Sequence, residues 1–243
     1  MKKVFHPIIA VLGACFLLVS TGSAQFPPAD EILFGARMVT TLQDHDLRGS
    51  LQKVGSKTKV PIALFLVQNQ GIEFQYFLQD NWNKFQLKLD DEKGSELFEG
   101  VGAKIRKFDD GKITQSISGT DLTYEDLSFS FLYWKGGEVL GEESLGVGRK
   151  TWKLRLVNPR AVGLYKTVDV WVHQESGAIM QIYGYQADGK CVKVFLVTKL
   201  MKVDQGYSIK TMKVQSFDQG GRVSGITHLE FEKPEARVRR GMQ

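Results

Sequence analysis

The side chains best suited to chemistry are few. Three histidines, His45, His173 and His228, lie beyond the first residues and could ligate a metal or carry a proton. His45 stands between Asp44 and Asp46, a triplet of metal-ligand types. Neighbours on a strand point to opposite faces, so the two aspartates share a face that His45 leaves. The triplet therefore reads as a solvated loop between a helix and a strand. His173 and His228 fall near or in strands without a matching ligand pattern, and read as sheet residues. Glu125 and Asp126 are paired acids, but adjacent residues on a helix do not face each other. A place at a helix N-terminus, where acids are favourable, explains them without catalysis. Cys191 lies in a strand without an obvious basic partner to hold a thiolate, and reads as inert core.

The larger motifs of catalysis are missing from the sequence. There is no Gly-x-Ser-x-Gly elbow, Walker loop, Cys-x-x-Cys or His-Glu-x-x-His. Gly100-Val101-Gly102 and Gly146-Val147-Gly148 lack the further glycine and the βαβ setting of a dinucleotide site. The expectation is a protein with no catalytic residues, no metal and no cofactor. A hydrolase with an unrecognised site stays as a rival, and single substitutions at His45, His173 and His228 that leave function intact would count heavily against it.

The N-terminus reads as a secretory signal over residues 1–24. Lys2 and Lys3 precede an apolar run from Ile8 to Val19, and Gly22-Ser23-Ala24 supplies small residues for cleavage. The run is shorter than the roughly 20 residues a membrane span takes. Leu12-Gly13-Ala14-Cys15 resembles a lipobox, in which Cys15 would be lipidated. The apolar Phe16-Leu17-Leu18-Val19 that follows argues against it. Removing residues 1–24 takes two lysines and no acid, so the formal charge falls from +5 to +3. That is too mild for a nucleic-acid surface. The short Arg237-Val238-Arg239-Arg240 cluster reads as a solvated chain end. Cys191 is then the one cysteine left, which excludes an internal disulfide. Residues 25–243 are long enough for one domain with a proper core.

These residues sit on a recognisable set of elements. Pro27 to Gln43 has helical spacing, with Ile32, Leu33, Ala36, Val39 and Leu42 on one face and Asp30 as N-cap. From Asp46 the period becomes two. Val60–Val67, Ile72–Leu78 and Phe85–Leu89 read as strands, with a turn at Asp80-Asn81. The second half repeats the habit over 152–156, 168–172, 179–186, 191–202, 207–217 and 223–231. Asp188-Gly189 is a hairpin signal. The series describes a meander, an antiparallel sheet curled or nearly closed. Gly119 to Phe129 breaks the series with a short helix that Asp121 or Thr123 can cap. The sheet has more apolar alternation than one helix can cover. Either two helices fill its concave side, or a cavity remains there.

One stretch is more specific. Gly119-Thr120-Asp121-Leu122-Thr123-Tyr124-Glu125-Asp126-Leu127 resembles the signature of the LolA-like outer-membrane lipoprotein-sorting proteins. Gly102-Ala103-Lys104-Ile105-Arg106-Lys107-Phe108 is similar to the basic segment before it. Val168–Gly177 resembles the family's strand with a Trp and an acidic turn, and the Asp188-Gly189-Lys190 hairpin fits. The resemblance spans roughly Ala29 to Lys233. It departs where many relatives have a Leu-Pro-Leu-Arg-like run: this chain has Ala178-Ile179-Met180-Gln181, and no role of that arginine carries over.

The resemblance implies a mainly β fold with α: a strongly curved antiparallel sheet, an unclosed β-barrel, with a helical lid on its concave face. It implies a periplasmic carrier that holds acyl chains of lipoproteins or lipids and delivers them toward the outer membrane. Its partners would be an acylated lipoprotein or lipid, an inner-membrane transporter and an outer-membrane acceptor, with the carrier a monomer. Leu64, Leu66, Phe74, Tyr76, Leu78, Phe85, Leu87, Trp152 and Leu154 are the candidate cavity lining; the same residues could equally form a dry core. Asp121, Tyr124, Leu127 and Phe131 are the candidate lid. In the structural reading of the signature Asp121 caps the helix and Tyr124 packs it down; in the functional one Tyr124, Glu125 and Asp126 meet a partner or gate the lid. The rival from another class is a periplasmic sensor or transporter-associated adaptor that binds a protein partner with the same fold.

Overall fold

The computed structural model describes residues 26–41, 46–67, 71–90, 94–101, 104–160, 162–203 and 206–234. The signal segment, Cys15, His45, Leu42 and the 237–240 basic cluster lie outside the described residues.

Helix α1 (Ala29–Thr41) precedes six strands: β1 (Leu47–Lys53), β2 (Val60–Val67), β3 (Gly71–Leu78), β4 (Asn81–Asp90), β5 (Gly94–Val101) and β6 (Lys104–Lys107). A long crossover follows, carrying two single 3₁₀ turns and helix α2 (Tyr124–Ser128). The chain then resumes with β7 (Glu138–Ser144), β8 (Lys150–Val157), β9 (Thr167–His173), β10 (Ile179–Tyr185), β11 (Cys191–Val203), β12 (Gly206–Phe217) and β13 (Val223–Phe231).

All thirteen strands form one sheet in the order β6-β5-β4-β3-β2-β1-β13-β12-β11-β10-β9-β8-β7. The chain winds outward from β1 to one edge, crosses to the opposite edge, and winds back until β13 pairs with β1, antiparallel. The edge strands β6 and β7 do not pair with each other, so the barrel is unclosed. The crossover from Phe108 to Gly137 joins these two edges.

The strands follow from their alternation. In β3 and β4, Phe74 pairs with Phe85 and Ile72 with Leu87, so both put their apolar residues on one face. The turn between them is Gln79-Asp80, both with positive φ (52° and 58°), the geometry of a two-residue type I′ hairpin. Asn81 is therefore the first residue of β4, not part of the turn. In β2 the consecutive Ile62, Ala63 and Leu64 are all buried, as its continuous apolar run implies. Strands β5, β6 and β7 lack a clear alternation signal. In β6, Lys104, Ile105, Arg106 and Lys107 are all exposed, and basic side chains on an edge discourage pairing with another sheet.

Helix α1 begins two residues earlier than an Asp30 N-cap would set it. The Pro28 carbonyl accepts the first N–H groups, from Glu31 and Ile32, so Asp30 lies inside the first turn rather than capping it. Leu33 and Ala36 are buried against the sheet. Arg37 donates from Nη1 to the Leu132 carbonyl at 2.6 Å and stacks 5.2 Å from the Tyr133 ring centroid. That ties α1 to the crossover. Leu33, Leu127 and Phe131 of the helical segments join Leu51, Phe74, Phe85, Leu154, Val170 and Val214 of the sheet in one continuous core. Each such side chain contributes about 1.5–3 kcal/mol on burial.

A candidate ligand-binding cavity under an anchored lid

The core is not completely filled. A cavity of about 100 Å³ lies between the crossover and one end of the sheet. Its roof is Leu127, Phe129 and Leu132; its floor comes from Leu64 of β2, Ile72 and Phe74 of β3, and Leu229 and Phe231 of β13. Ala178, Ile179, Leu200, Ile209 and Met212 close its remaining sides. The lining is almost wholly apolar. An apolar cavity of roughly 150 Å³ takes a benzene-sized ligand. This one has room for a few methylene groups, so a longer chain requires the roof to lift.

The candidate residues separate into distinct places. Leu64 and Phe74 line the cavity from the sheet and Leu127 from the roof. Phe85, Leu87 and Leu154 are fully buried core away from it. Phe85 packs on the rings of Phe108 and Tyr124 at 5.1 and 5.5 Å. Tyr76 is held by a 2.6 Å hydrogen bond between its hydroxyl and that of Tyr124, and both border a separate, more polar cleft. Trp152 is half-buried, edge-on to Phe26. Leu78 is 39 % exposed: it keeps the inward parity of Phe74 and Tyr76, but adjoins the hairpin turn. Leu66 pairs with Ile72 through its backbone, and its side chain lies outside the described residues. Phe131 is buried between Phe129 and Trp134.

The signature stretch anchors the roof. Thr123, not Asp121, is the N-cap of α2. Its hydroxyl accepts the Asp126 N–H at 3.3 Å, while the Asp126 carboxylate accepts the Thr123 N–H at 2.7 Å, a capping box. Asp126 is fully buried. It forms an ion pair with Lys193 of β11 at 2.6 Å and accepts the Tyr165 hydroxyl. Glu125 accepts the Leu164 N–H at 2.6 Å. Burial, only partly offset by that N–H, pushes the Glu125 carboxyl up to about 7. The Asp121 carboxylate accepts the Thr227 hydroxyl at 2.8 Å and pairs with Lys53 at 3.2 Å, while the Asp121 backbone N–H donates to the same Thr227 oxygen at 2.9 Å. Two glycines make room for these acids. A Cβ at Gly225 would overlap the Asp121 carboxylate, and one at Gly163, where φ is +103°, would overlap that of Glu125.

Past this anchor the crossover changes character. Phe129 ends α2 in the left-handed region, with φ 48° and ψ 24°, a conformation that costs a non-glycine residue roughly 1–2 kcal/mol. From there to Leu132 the roof makes apolar contacts over the cavity. Cys191 is half-buried, and burial raises its thiol pKa. His173 accepts the Ser176 N–H at 3.3 Å within the β9–β10 turn, and His228 is an exposed residue of β13. Among the described residues, no three His, Cys, Asp or Glu side chains gather as a metal site.

Known proteins bear on the fold. A family described as "Uncharacterized protein" matches residues 102–239. No curated protein matches the chain. Among solved structures, an outer membrane lipoprotein-sorting protein domain, so designated provisionally, from Vibrio parahaemolyticus is 14 % identical. It superposes with a TM-score of 0.67 over 88 % of this chain and 93 % of that one. A DUF1329 family protein from Desulfovibrio piger is 16 % identical, with a TM-score of 0.66 over 90 % and 96 %. A LolA superfamily protein from Nitrosomonas europaea is 13 % identical, with a TM-score of 0.64 over 87 % and 94 %. At these identities the likeness is one of fold. The family match spans more than half of the chain, which therefore belongs to that family and has the LolA-like fold, an unclosed antiparallel barrel with helices over its inner face.

Proposed function

We propose that this protein is a non-enzymatic periplasmic carrier, exported by its first 24 residues, that binds acyl chains of lipoproteins or lipids and delivers them toward the outer membrane. An inner-membrane transporter would load it and an outer-membrane acceptor would unload it. The observation that carries the reading is the apolar cavity under a roof of Leu127, Phe129 and Leu132. A LolA-like fold and a solved relative designated for lipoprotein sorting support it.

The energetics suit a carrier. Each methylene moved from water into such a cavity gains about 0.8 kcal/mol, so a chain binds without any covalent step. The roof's own apolar side chains compete with the ligand for the same sheet face. Loading and release then become a shift between roof-down and ligand-bound states. Native mass spectrometry with lipid extraction, on protein purified from its own periplasm, tests this. An acylated protein or lipid at about one per chain is expected. A clean ligand-free mass, with no later uptake of a fatty-acyl probe, overturns the reading in favour of a protein-binding adaptor.

A further inference from the structure

A third space, an open cleft of about 600 Å³ lined by both charged and apolar side chains, adjoins the apolar cavity. Leu200 and Tyr207 line both spaces. The β9–β10 turn also walls both: Glu175 and Ser176 border the cleft, and Ala178 and Ile179 two residues on border the cavity.

The β11 wall of the cleft is built irregularly. Val197, Thr198, Lys199 and Leu200 all line it, although consecutive residues of a regular strand point to opposite faces. The cause is a double slip in the β11–β12 register. Val197 pairs with Met212, Lys199 with Thr211 and Leu200 with Ile209, so Thr198 is extra on one strand and Lys210 on the other. Bulges of this kind re-aim side chains, and they concentrate beside binding sites. Here the slip sets Lys199 and Leu200 on one wall, a cation next to the cavity mouth.

The charges of the cleft are unbalanced. Arg149 and Lys199 line it, and among the described residues neither side chain has an ion-pair partner. Glu175 is the one acid of the lining, and His173 and Ser176 add polar groups. Cations paired with an anionic oxygen make stronger hydrogen bonds than neutral donors do.

We infer that the ligand is an amphiphile with an anionic head group, a carboxylate or phosphate, held by Arg149 and Lys199 in the cleft while its acyl chain enters the cavity past Leu200 and Tyr207. This rests on the carrier reading above and names the ligand class for it. Lipids whose head groups are neutral bind through the chain alone.

The test titrates the purified protein with three amphiphiles of one chain length: palmitate, palmitoyl lysophosphatidylglycerol and monopalmitoylglycerol. Glycerol 3-phosphate serves as a head group without a chain. The two anionic amphiphiles are expected to bind about 10-fold tighter than the neutral glyceride, the modest factor that exposed charges supply. In Arg149→Gln/Lys199→Gln that preference should vanish while the affinity for monopalmitoylglycerol holds, which also reports an intact fold. A preference for carboxylate or for phosphate assigns the head group. Equal binding of all three amphiphiles, or a preference that survives the double substitution, overturns this inference and leaves the carrier intact. Glycerol 3-phosphate binding as tightly as the lysolipid overturns it too, because the cleft would then serve a free anion. Failure of every amphiphile to bind overturns the carrier reading itself.

Discussion

Replacing Lys193 by Met should destabilise the protein more than any other single change on the sheet surface under α2. Lys193 Nζ lies 2.6 Å from Asp126 Oδ2, and the two side chains are 4 % and 0 % exposed. Taking away the cation leaves Asp126 with the Thr123 N–H and the Tyr165 hydroxyl, both neutral donors. Breaking one partner of such a pair costs about 3–5 kcal/mol, mostly because a buried charge is left uncompensated. For a chain of this size that lowers the melting temperature by roughly 10 °C. Asp126→Asn with Lys193→Met removes both charges while Asn keeps an acceptor for the Thr123 N–H. The double variant should therefore recover more than half of the loss, since well-packed apolar or neutral replacements of a buried pair are often near neutral. Urea denaturation of the parent, both single variants and the double variant measures the coupling directly. A Lys193→Met protein within about 1 kcal/mol of the parent, the range of ordinary substitutions, would refute the argument. So would a double variant as unstable as the two singles added together.

The other predictions concern the same roof and the cavity beneath it. Because burial raises the folded pKa of Glu125 from 4.5 to about 7, the folded state holds a proton there that the unfolded chain has lost. This contribution to stability is fully present below pH 4.5, declines as pH rises to about 7, and is gone above it. It amounts to roughly 3 kcal/mol. Unfolding free energies measured from pH 4 to 8 should show the decline in the parent and not in Glu125→Gln; parallel curves would contradict it. Gly225→Ala forces the Asp121 carboxylate off the Thr227 hydroxyl and should cost about 1–3 kcal/mol, read by urea melts, whereas a stability unchanged from the parent would refute the contact. Ile179→Trp fills the cavity and should abolish uptake of a fluorescent fatty-acyl probe while the protein stays folded by circular dichroism; retained uptake would place the chain elsewhere.

The strands were legible because burial on one face writes itself as alternation. Phe74, Tyr76, Phe85 and Leu87 all lie on the inward face that their spacing gives. Inward parity does not distinguish core from cavity, however. Phe85 and Leu154 are covered by other elements, whereas Leu64 and Phe74 face a gap, and the difference is made by residues far away in sequence. Of the sixteen residues around the cavity, only three, Leu64, Phe74 and Leu127, are among those the sequence singles out, for that reason. The cap of α2 was readable as Thr123 with an acid three residues on, the reciprocal pattern of a capping box. The Asp126 partner is 67 residues away, yet it left a mark: Lys193 interrupts the apolar run from Val192 to Val197, and an unpaired lysine is seldom buried. The register slip at Lys199 has no such mark, since it depends on both strands together.

The roof divides its interactions by kind. At the α2 end they are polar and directional: the ion pair of Asp126 with Lys193, and the hydrogen bonds of Glu125 with the Leu164 N–H and of Asp121 with Thr227. An acyl chain can replace none of them, so a ligand gains nothing by breaking them. Over the cavity the side-chain contacts are those of Leu127, Phe129 and Leu132, apolar and without direction, with one directional bond beside them, from Arg37 to the Leu132 carbonyl. An acyl chain replaces the apolar contacts at nearly the same gain per buried area, about 25 cal/mol per Å². Lifting this end therefore costs little beyond the Arg37 hydrogen bond once a chain is present, and Phe129, already in the left-handed region, sits where the two ends meet. On the carrier reading, this arrangement lets the ligand displace only the part of the roof that it can substitute for, while the charged anchor keeps the crossover on the sheet throughout the cycle.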